Sequence, residues 1–145
     1  MGKEELLADL NRKKEQLREA KKRLQNLEDQ YEALEEFTAQ CNSRIQAFDD
    51  SMLRRKNKLL RLDGILNKAK SAKRYRDRMN ELLVGTDFKN ASSSISNLET
   101  STSNKKRSIR NDITNTEAEI DHLKQVVENL QYSYDTYPEE VKENA

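Results

Sequence analysis

Apolar side chains recur at alternating steps of three and four residues through the first half of this chain, and this spacing constrains the fold more than any other feature. Only 34% of the chain is apolar, yet sixteen of the nineteen positions in this repeat are apolar. The repeat runs Leu6, Leu10, Lys13, Leu17, Ala20, Leu24, Leu27, Tyr31, Leu34, Thr38, Cys41, Ile45, Phe48, Met52, Arg55, Leu59, Leu62, Leu66 and Ala69. A seven-residue repeat places its apolar positions on one narrow line along a helix, here called the seam, and such helices supercoil against other helices. The pattern predicts an all-α fold with coiled-coil-like heptads.

The composition excludes most other classes of domain. With three glycines, one proline, no tryptophan and 6% aromatic residues, the chain lacks the turns and apolar strands of β and α/β proteins. Charged residues make up 37% of the chain, but a net charge of +1 and a regular apolar repeat count against disorder. Long helices remain.

A second heptad repeat begins at Phe88 and stops before Pro138, which disfavours helix in the residue that precedes it. Between the repeats, Gly85 is expected to end the first helix in a left-handed conformation. The predicted fold is therefore an elongated helical hairpin forming a single domain over 1–145. Its expected parts are a helix over about 4–82, a turn at 83–87 containing Leu83 and Gly85, a helix over about 88–136, and a frayed tail at 138–145.

The two predicted arms differ in length, at about 120 Å and about 75 Å for 1.5 Å per residue. Either the first arm folds back near 49–51 to give three helices, or another chain covers the N-terminal half of its seam. The repeat passes through 49–51 without a skip, which favours a long arm that can bend near 49–52, together with a partner. The predicted partner-binding residues are Leu10, Leu17, Leu24, Leu27 and Leu34, with Phe37, Phe48 and Met52 as anchors and the polar seam residues Lys13, Thr38 and Arg55 setting register and partner choice.

Residues 91–104 hold ten Ser, Thr or Asn in fourteen positions, a composition that weakens helices. A linker is one interpretation. The spacing of Phe88, Ala91, Ile95 and Leu98 favours a helix stabilised by packing rather than by intrinsic propensity.

Charge is unevenly distributed along the chain. Residues 54–110 hold sixteen basic and five acidic side chains, whereas residues 111–145 hold two basic and nine acidic ones. Three interpretations stay open for this basic region: a solvated surface, a site for an acidic protein, or a nucleic-acid site. Residues 54–78, the basic part of the first arm, contain one aromatic residue, Tyr75, so stacking of nucleic-acid bases has little support.

No catalytic residue, metal ligand or cofactor is predicted. Cys41 lies on the seam, where a small buried apolar residue is the default interpretation, and His122 is expected on the surface. No apolar run has the length of a membrane span, and the first ten residues lack the apolar core of a signal peptide. The chain is expected in the cytoplasm.

The segment Leu83-Val84-Gly85 between two heptad helices, followed by Phe88, resembles the turn of the WXG100 superfamily of type VII secretion in Gram-positive bacteria. The length, the high charge and the serine-rich start of the second arm are similar to the small helical partners of LXG-domain toxins. The resemblance implies a targeting chaperone that binds the toxin's helical N-terminal domain, with a second small WXG100-like protein as a further partner. The chain departs from the superfamily where Leu83 replaces its tryptophan and where the first arm is about twice the usual length.

The superfamily's export signal, a tyrosine four positions before Asp or Glu, does not occur in the tail around Tyr132, Tyr134 and Tyr137. The resemblance then implies that the partner carries the signal or that these tyrosines form part of a composite one, and export together with the partner stays open. Two rival hypotheses are a self-associating coiled-coil scaffold or tether and a basic helical nucleic-acid-binding protein.

Overall fold

The part of the chain that the structure describes folds into three helices. A computed structural model describes residues 2–65 and 70–138, and gives the backbone alone for 62–65 and 70–72. The helices are α1 (Lys3–Ile65), α2 (Lys70–Val84) and α3 (Thr86–Asp135), and the described ranges contain no strand. The predicted all-α helical hairpin is confirmed. The predicted seam residues Leu66 and Ala69 and the tail from 139 onward lie outside the described residues.

Helix α1 is continuous over 63 residues. Its exposed face carries ion pairs one turn apart, with Arg12 Nη2 lying 2.7 Å from Asp9 Oδ1 and Arg18 Nη2 lying 2.6 Å from Glu15 Oε1. Such pairs each stabilise a helix slightly. The helix passes through 49–52 without interruption, so the alternative of a first arm folded back near 49–51 is wrong.

The prediction of a single helix over 4–82 is also wrong, because α2 lies beside the end of α1. Residues 52–60 of α1 and 76–84 of α2 line one groove, although one continuous helix would separate even residues 60 and 76 by about 24 Å. Gly64 is the penultimate residue of α1. A glycine inside a helix costs about 1 kcal/mol relative to alanine, so a helix end at this point is favourable.

Gly85 interrupts the helical run at one residue and does not reverse the chain. Its N–H donates to the carbonyl oxygen of Glu81 at 2.7 Å, and its own carbonyl accepts from the N–H of Lys89 at 3.1 Å. Its φ is not positive, so the predicted left-handed conformation and the predicted turn at 83–87 are wrong. Helical bonding nearly continues here because α2 and α3 follow one another along the same arm. A side chain at this position would overlap the Glu81 carbonyl oxygen, which accounts for the glycine.

The helices divide between two compact units. Unit 1 contains Met1–Glu32 and Arg107–Ala145, and unit 2 contains Ala33–Lys106. Helix α1 has 63 residues, and α2 and α3 have 15 and 50. The assignment of 1–145 to a single domain stays a prediction.

Unit 1 pairs the start of α1 with the end of α3 in antiparallel order. From the N-terminus of α1 onward, the contacts are the Lys3 ammonium 5.0 Å from the ring centroid of Tyr134, Lys14 Nζ 3.3 Å from Gln131 Oε1, Arg23 Nη2 2.9 Å from Glu119 Oε1, and the Arg110 guanidinium on Tyr31. Exposed pairs of this kind each contribute less than about 1 kcal/mol. They fix the register more than they stabilise the unit.

The core of unit 1 forms on the predicted seam. Ala20, Ile120 and Leu123 are buried together, and Leu17 and Leu24 pack against them. Ala20 is small and fully covered, which lets α1 approach α3 closely. Burial of each large apolar side chain contributes about 1.5 to 3 kcal/mol, so these residues supply most of the stabilisation of unit 1.

Unit 2 pairs the second half of α1 with α2 and with the first part of α3, again antiparallel. The rings of Phe48 and Phe88 stack with centroids 6.2 Å apart and planes inclined by 19°. Residues 91–104 are helical, so the prediction of a helix rather than a linker is confirmed.

Candidate partner-binding surface

Exposed apolar side chains are concentrated in unit 2. Of ten large apolar residues that are exposed among the described part of the chain, Leu7 and Tyr132 lie in unit 1. The other eight lie in unit 2 and are Phe37, Phe48, Leu53, Leu60, Tyr75, Leu82, Val84 and Leu98. Among the side chains described in unit 2, that of Leu59 is the only apolar one that is buried.

An apolar groove lies between α1 and α2 within unit 2 and has a volume of about 440 Å³. Its lining consists of Met52, Leu53, Lys56, Leu59, Leu60, Arg76, Asn80, Leu83, Val84 and Phe88. Leu53, Leu60 and Val84 are 57%, 61% and 63% exposed. Leu53 and Leu60 each follow a seam residue by one position, so they point away from the seam and form a second apolar line along α1.

Basic side chains border this groove. Lys56 and Arg76 belong to its lining, which contains no Asp or Glu. By sequence, unit 2 holds fifteen basic and nine acidic side chains, a net charge of +6, whereas unit 1 holds twelve and seventeen, a net charge of −5. The summed field of unit 2 therefore favours an acidic ligand.

A smaller groove in unit 2, of about 280 Å³, has mixed charge. It is lined by Phe48, Met52, Arg55, Arg78, Glu81, Leu82, Asp87 and Phe88. Arg55 is exposed here, although it occupies a seam position. Since acidic and basic groups both border this groove, it has weaker electrostatic selectivity than the apolar groove.

The seam of unit 2 is loosely packed where threonines replace larger residues. Thr38 and Thr102 line a gap of about 340 Å³ between α1 and α3, together with Phe37, Cys41 and Ile45 among others. Each hydroxyl donates to its own helix, Thr38 Oγ1 to the Leu34 carbonyl at 2.7 Å and Thr102 Oγ1 to the Leu98 carbonyl at 2.8 Å. These short side chains leave neighbouring apolar groups such as Phe37 exposed.

Several residues predicted to face a partner are covered by the chain itself. Leu10 is 1% exposed, and Leu17 and Leu24 pack against the core of unit 1. Leu27 and Leu34 are half-buried. The expectation of an uncovered N-terminal seam is wrong, because α3 extends back along the start of α1 within unit 1.

Three other predicted residues remain accessible. Phe37 and Phe48 are exposed, and Met52 is half-buried at the junction of both grooves beside α2. Leu83 and Phe88, predicted as turn residues, instead line the apolar groove. The structure thus brings Met52, Leu83 and Phe88 together with Leu53, Leu60 and Val84, which sequence analysis missed. The spacing of seven residues between Leu53 and Leu60 is the sequence feature that could have identified these two leucines.

The aromatic residues near the C-terminus occupy different environments. Tyr132 is 71% exposed, whereas Tyr134 and Tyr137 are half-buried and Tyr134 lies under the Lys3 ammonium. Their role in an export signal stays a prediction.

Residues with chemical reactivity are scattered. Cys41 is half-buried and unpaired as a thiol, and His122 is exposed. Within residues 2–65 and 70–138, no group of three or more His, Cys, Asp or Glu has the arrangement needed for a metal ion. The helices described for this chain include none that is long and apolar enough to cross a membrane.

This fold and this surface define an all-α helical-hairpin protein with an apolar groove bordered by basic side chains. No protein-family model matches the sequence, and no curated protein or solved structure is significantly similar to it.

Proposed function

We propose that this chain is a non-enzymatic helical adaptor that binds another protein through unit 2. The observation that supports this proposal is the imbalance between the units. Among the residues described, unit 1 leaves none of its seam residues exposed, whereas unit 2 leaves eight large apolar side chains exposed beside a single buried leucine. An apolar surface of this kind on a small protein usually marks an interaction site.

The expected partner is helical. The exposed residues Leu53 and Leu60 lie two helical turns apart, and the groove beside them runs between two helices. A third helix with its own heptad pattern would add to this pair by the same packing that joins α1 to α2.

We propose further that the partner is the helical N-terminal domain of an LXG toxin and that the chain helps to deliver it to a type VII secretion system. Support comes from the helical hairpin, the length, the high charge and the serine-rich start of α3. The Leu83-Val84-Gly85 motif gives less support than its sequence suggested, because Gly85 interrupts a helical run instead of reversing the chain.

Co-expression of the full chain with the helical N-terminal domain of an LXG toxin tests this function. We expect a stable complex in which hydrogen exchange slows mainly at amides of residues 33–106. Failure to recover a complex, or protection confined to unit 1, would contradict the proposal.

Self-association is the principal rival function. It would bring two copies of a unit with a net charge of +6 together, which is electrostatically unfavourable. The rival is favoured if sedimentation of the pure chain at low salt yields a compact homodimer.

Nucleic-acid binding is a second rival function. It would use the same basic side chains but would leave the apolar groove without a role. Binding of duplex DNA or RNA with a steep salt dependence would favour this function.

A further inference from the structure

We infer that the apolar groove between α1 and α2 is the docking site for an amphipathic helix with acidic flanks. This inference rests on the proposed adaptor function and assigns it a site and a partner chemistry. The groove is a better candidate than any other surface described, because it combines the most exposed aliphatic side chains with a lining that holds two basic residues and no Asp or Glu.

The spacing of the exposed leucines sets the apolar requirement. Leu53 and Leu60 are separated by about 10.5 Å along α1 at 1.5 Å per residue, and Val84 lies on the opposite wall. A partner helix that lies along the groove would place apolar residues seven positions apart on these leucines and a residue between them against Val84. A helix of about three turns is long enough to make all of these contacts.

The border of the groove sets the charge requirement. Lys56 on α1 and Arg76 on α2 contribute to opposite walls. Arg76 Nε also lies 4.0 Å from Oδ1 of Asp77, which is outside the lining, so a partner's carboxylate on that wall would share Arg76 with Asp77 while a carboxylate on the other flank meets Lys56. By sequence, α2 holds five basic and two acidic side chains, so this wall keeps a net charge of +3. Attraction of this type selects between partners and speeds association more than it adds affinity.

A second copy of this chain fits the groove less well. Its basic unit 2 would be repelled, and its acidic unit 1 exposes Leu7 and Tyr132 as the only large apolar side chains in the part described. Unit 1 therefore offers charge without an apolar stripe. The groove requires both features on one helix, which favours a different protein.

Binding of two synthetic helical peptides to the full chain, measured by fluorescence anisotropy, tests the inference. Each peptide is about 18 residues long, above the length at which isolated helices are marginal, and carries one leucine stripe. One peptide has glutamate flanks and the other has lysine flanks. We expect the glutamate peptide to bind at least about tenfold more tightly at low salt and to lose most of this advantage at high salt.

Variants of the chain locate the binding site. Leu53→Ser and Leu60→Ser should each weaken binding of the glutamate peptide by about tenfold, since each removes a desolvated apolar contact. Leu7→Ser is the matched control, because Leu7 is an exposed leucine on the same helix in unit 1, and binding should not change. All three variants should unfold at nearly the wild-type temperature because these side chains are exposed in the free chain.

Equal binding of the two peptides, no binding of the glutamate peptide, or unchanged binding by Leu53→Ser and Leu60→Ser would overturn the inference. Displacement of the glutamate peptide by duplex DNA, with DNA binding unaffected by both serine variants, would also overturn it in favour of nucleic acid. A different result contradicts the adaptor function itself, namely that the co-expressed LXG domain forms no complex with the wild-type chain. A complex that forms equally well with the wild-type and Leu60→Ser chains would overturn the groove assignment alone.

Discussion

The two glycines near the ends of α1 and α2 differ in role, and Gly85 lacks the left-handed, helix-ending conformation that its sequence context indicated. Gly64 lies at the end of α1, whereas Gly85 lies between α2 and α3 without reversing the chain. The sequence alone does not distinguish a glycine at a helix end from a glycine at a close backbone approach, because glycine is equally compatible with both. The overlap with the Glu81 carbonyl explains Gly85 and depends on three-dimensional structure.

Replacing Gly85 with alanine should destabilise the protein. The added Cβ would overlap the carbonyl oxygen of Glu81, which is backbone and cannot move aside cheaply. We expect Gly85→Ala to lower the free energy of unfolding by about 1 to 3 kcal/mol, measured by urea denaturation followed by circular dichroism. Gly2→Ala is the control, since a Cβ there meets no atom within 4 Å. Equal stability of the two variants would show that the backbone at Gly85 relaxes freely.

Glu15 should titrate below its ordinary pKa because its exposed carboxylate pairs with Arg18. A hydrogen bond from Arg18 is the main cause that lowers the pKa of Glu15, and the same bond raises the pKa of Arg18. Because the folded pKa of Glu15 lies below its ordinary value, the stabilisation is present at neutral pH and disappears as the pH falls through the lowered pKa. NMR titration should show this lowered pKa in the wild type and its return toward the ordinary value in Arg18→Gln. An unchanged Glu15 pKa in that variant would mean that the pair does not persist in solution.

Two leucines that lie three residues apart on α1 have different environments. Leu10 is 1% exposed within unit 1, whereas Leu7 is 38% exposed. We expect Leu10→Ala to lower the free energy of unfolding by about 2 to 5 kcal/mol and Leu7→Ala by less than about 1 kcal/mol. Denaturation of the pure chain at low concentration is the measurement. A small effect of Leu10→Ala would mean that α3 does not cover the start of α1 in solution.

The heptad repeats predicted the helices well because each repeat must bury its seam. They could not predict where the chain reverses, because the apolar spacing continues past the end of α1 through Met79 on α2 with little change. A repeat with one period fits both a single long helix and two antiparallel helices. The pairing partner of each segment, which decides between these two folds, is a long-range property that local spacing does not encode.

At the scale of the whole molecule, the reversal between α1 and α2 decides which leucines are available to a partner. Leu10 is covered within unit 1, whereas Leu53 and Leu60 are exposed in unit 2. All three are leucines on one heptad-patterned helix, so the sequence predicted an uncovered apolar surface but placed it in the wrong half of α1. The basic character of the adjacent residues was predictable from charge counting alone, because Lys56 and Arg76 belong to the basic region 54–110.

The distribution of charge predicts how the pure chain associates. Two copies that meet through unit 2 bring together net charges of +6, and lowering the salt concentration strengthens this repulsion. Sedimentation velocity should therefore show a monomer at low salt, with association increasing at high salt as repulsion is screened and the exposed leucines make contact. Leu60→Ser should reduce the association at high salt, whereas Leu7→Ser should not. Association that is strongest at low salt would instead indicate attraction between the acidic unit 1 of one copy and the basic unit 2 of another, and would make the chain its own partner.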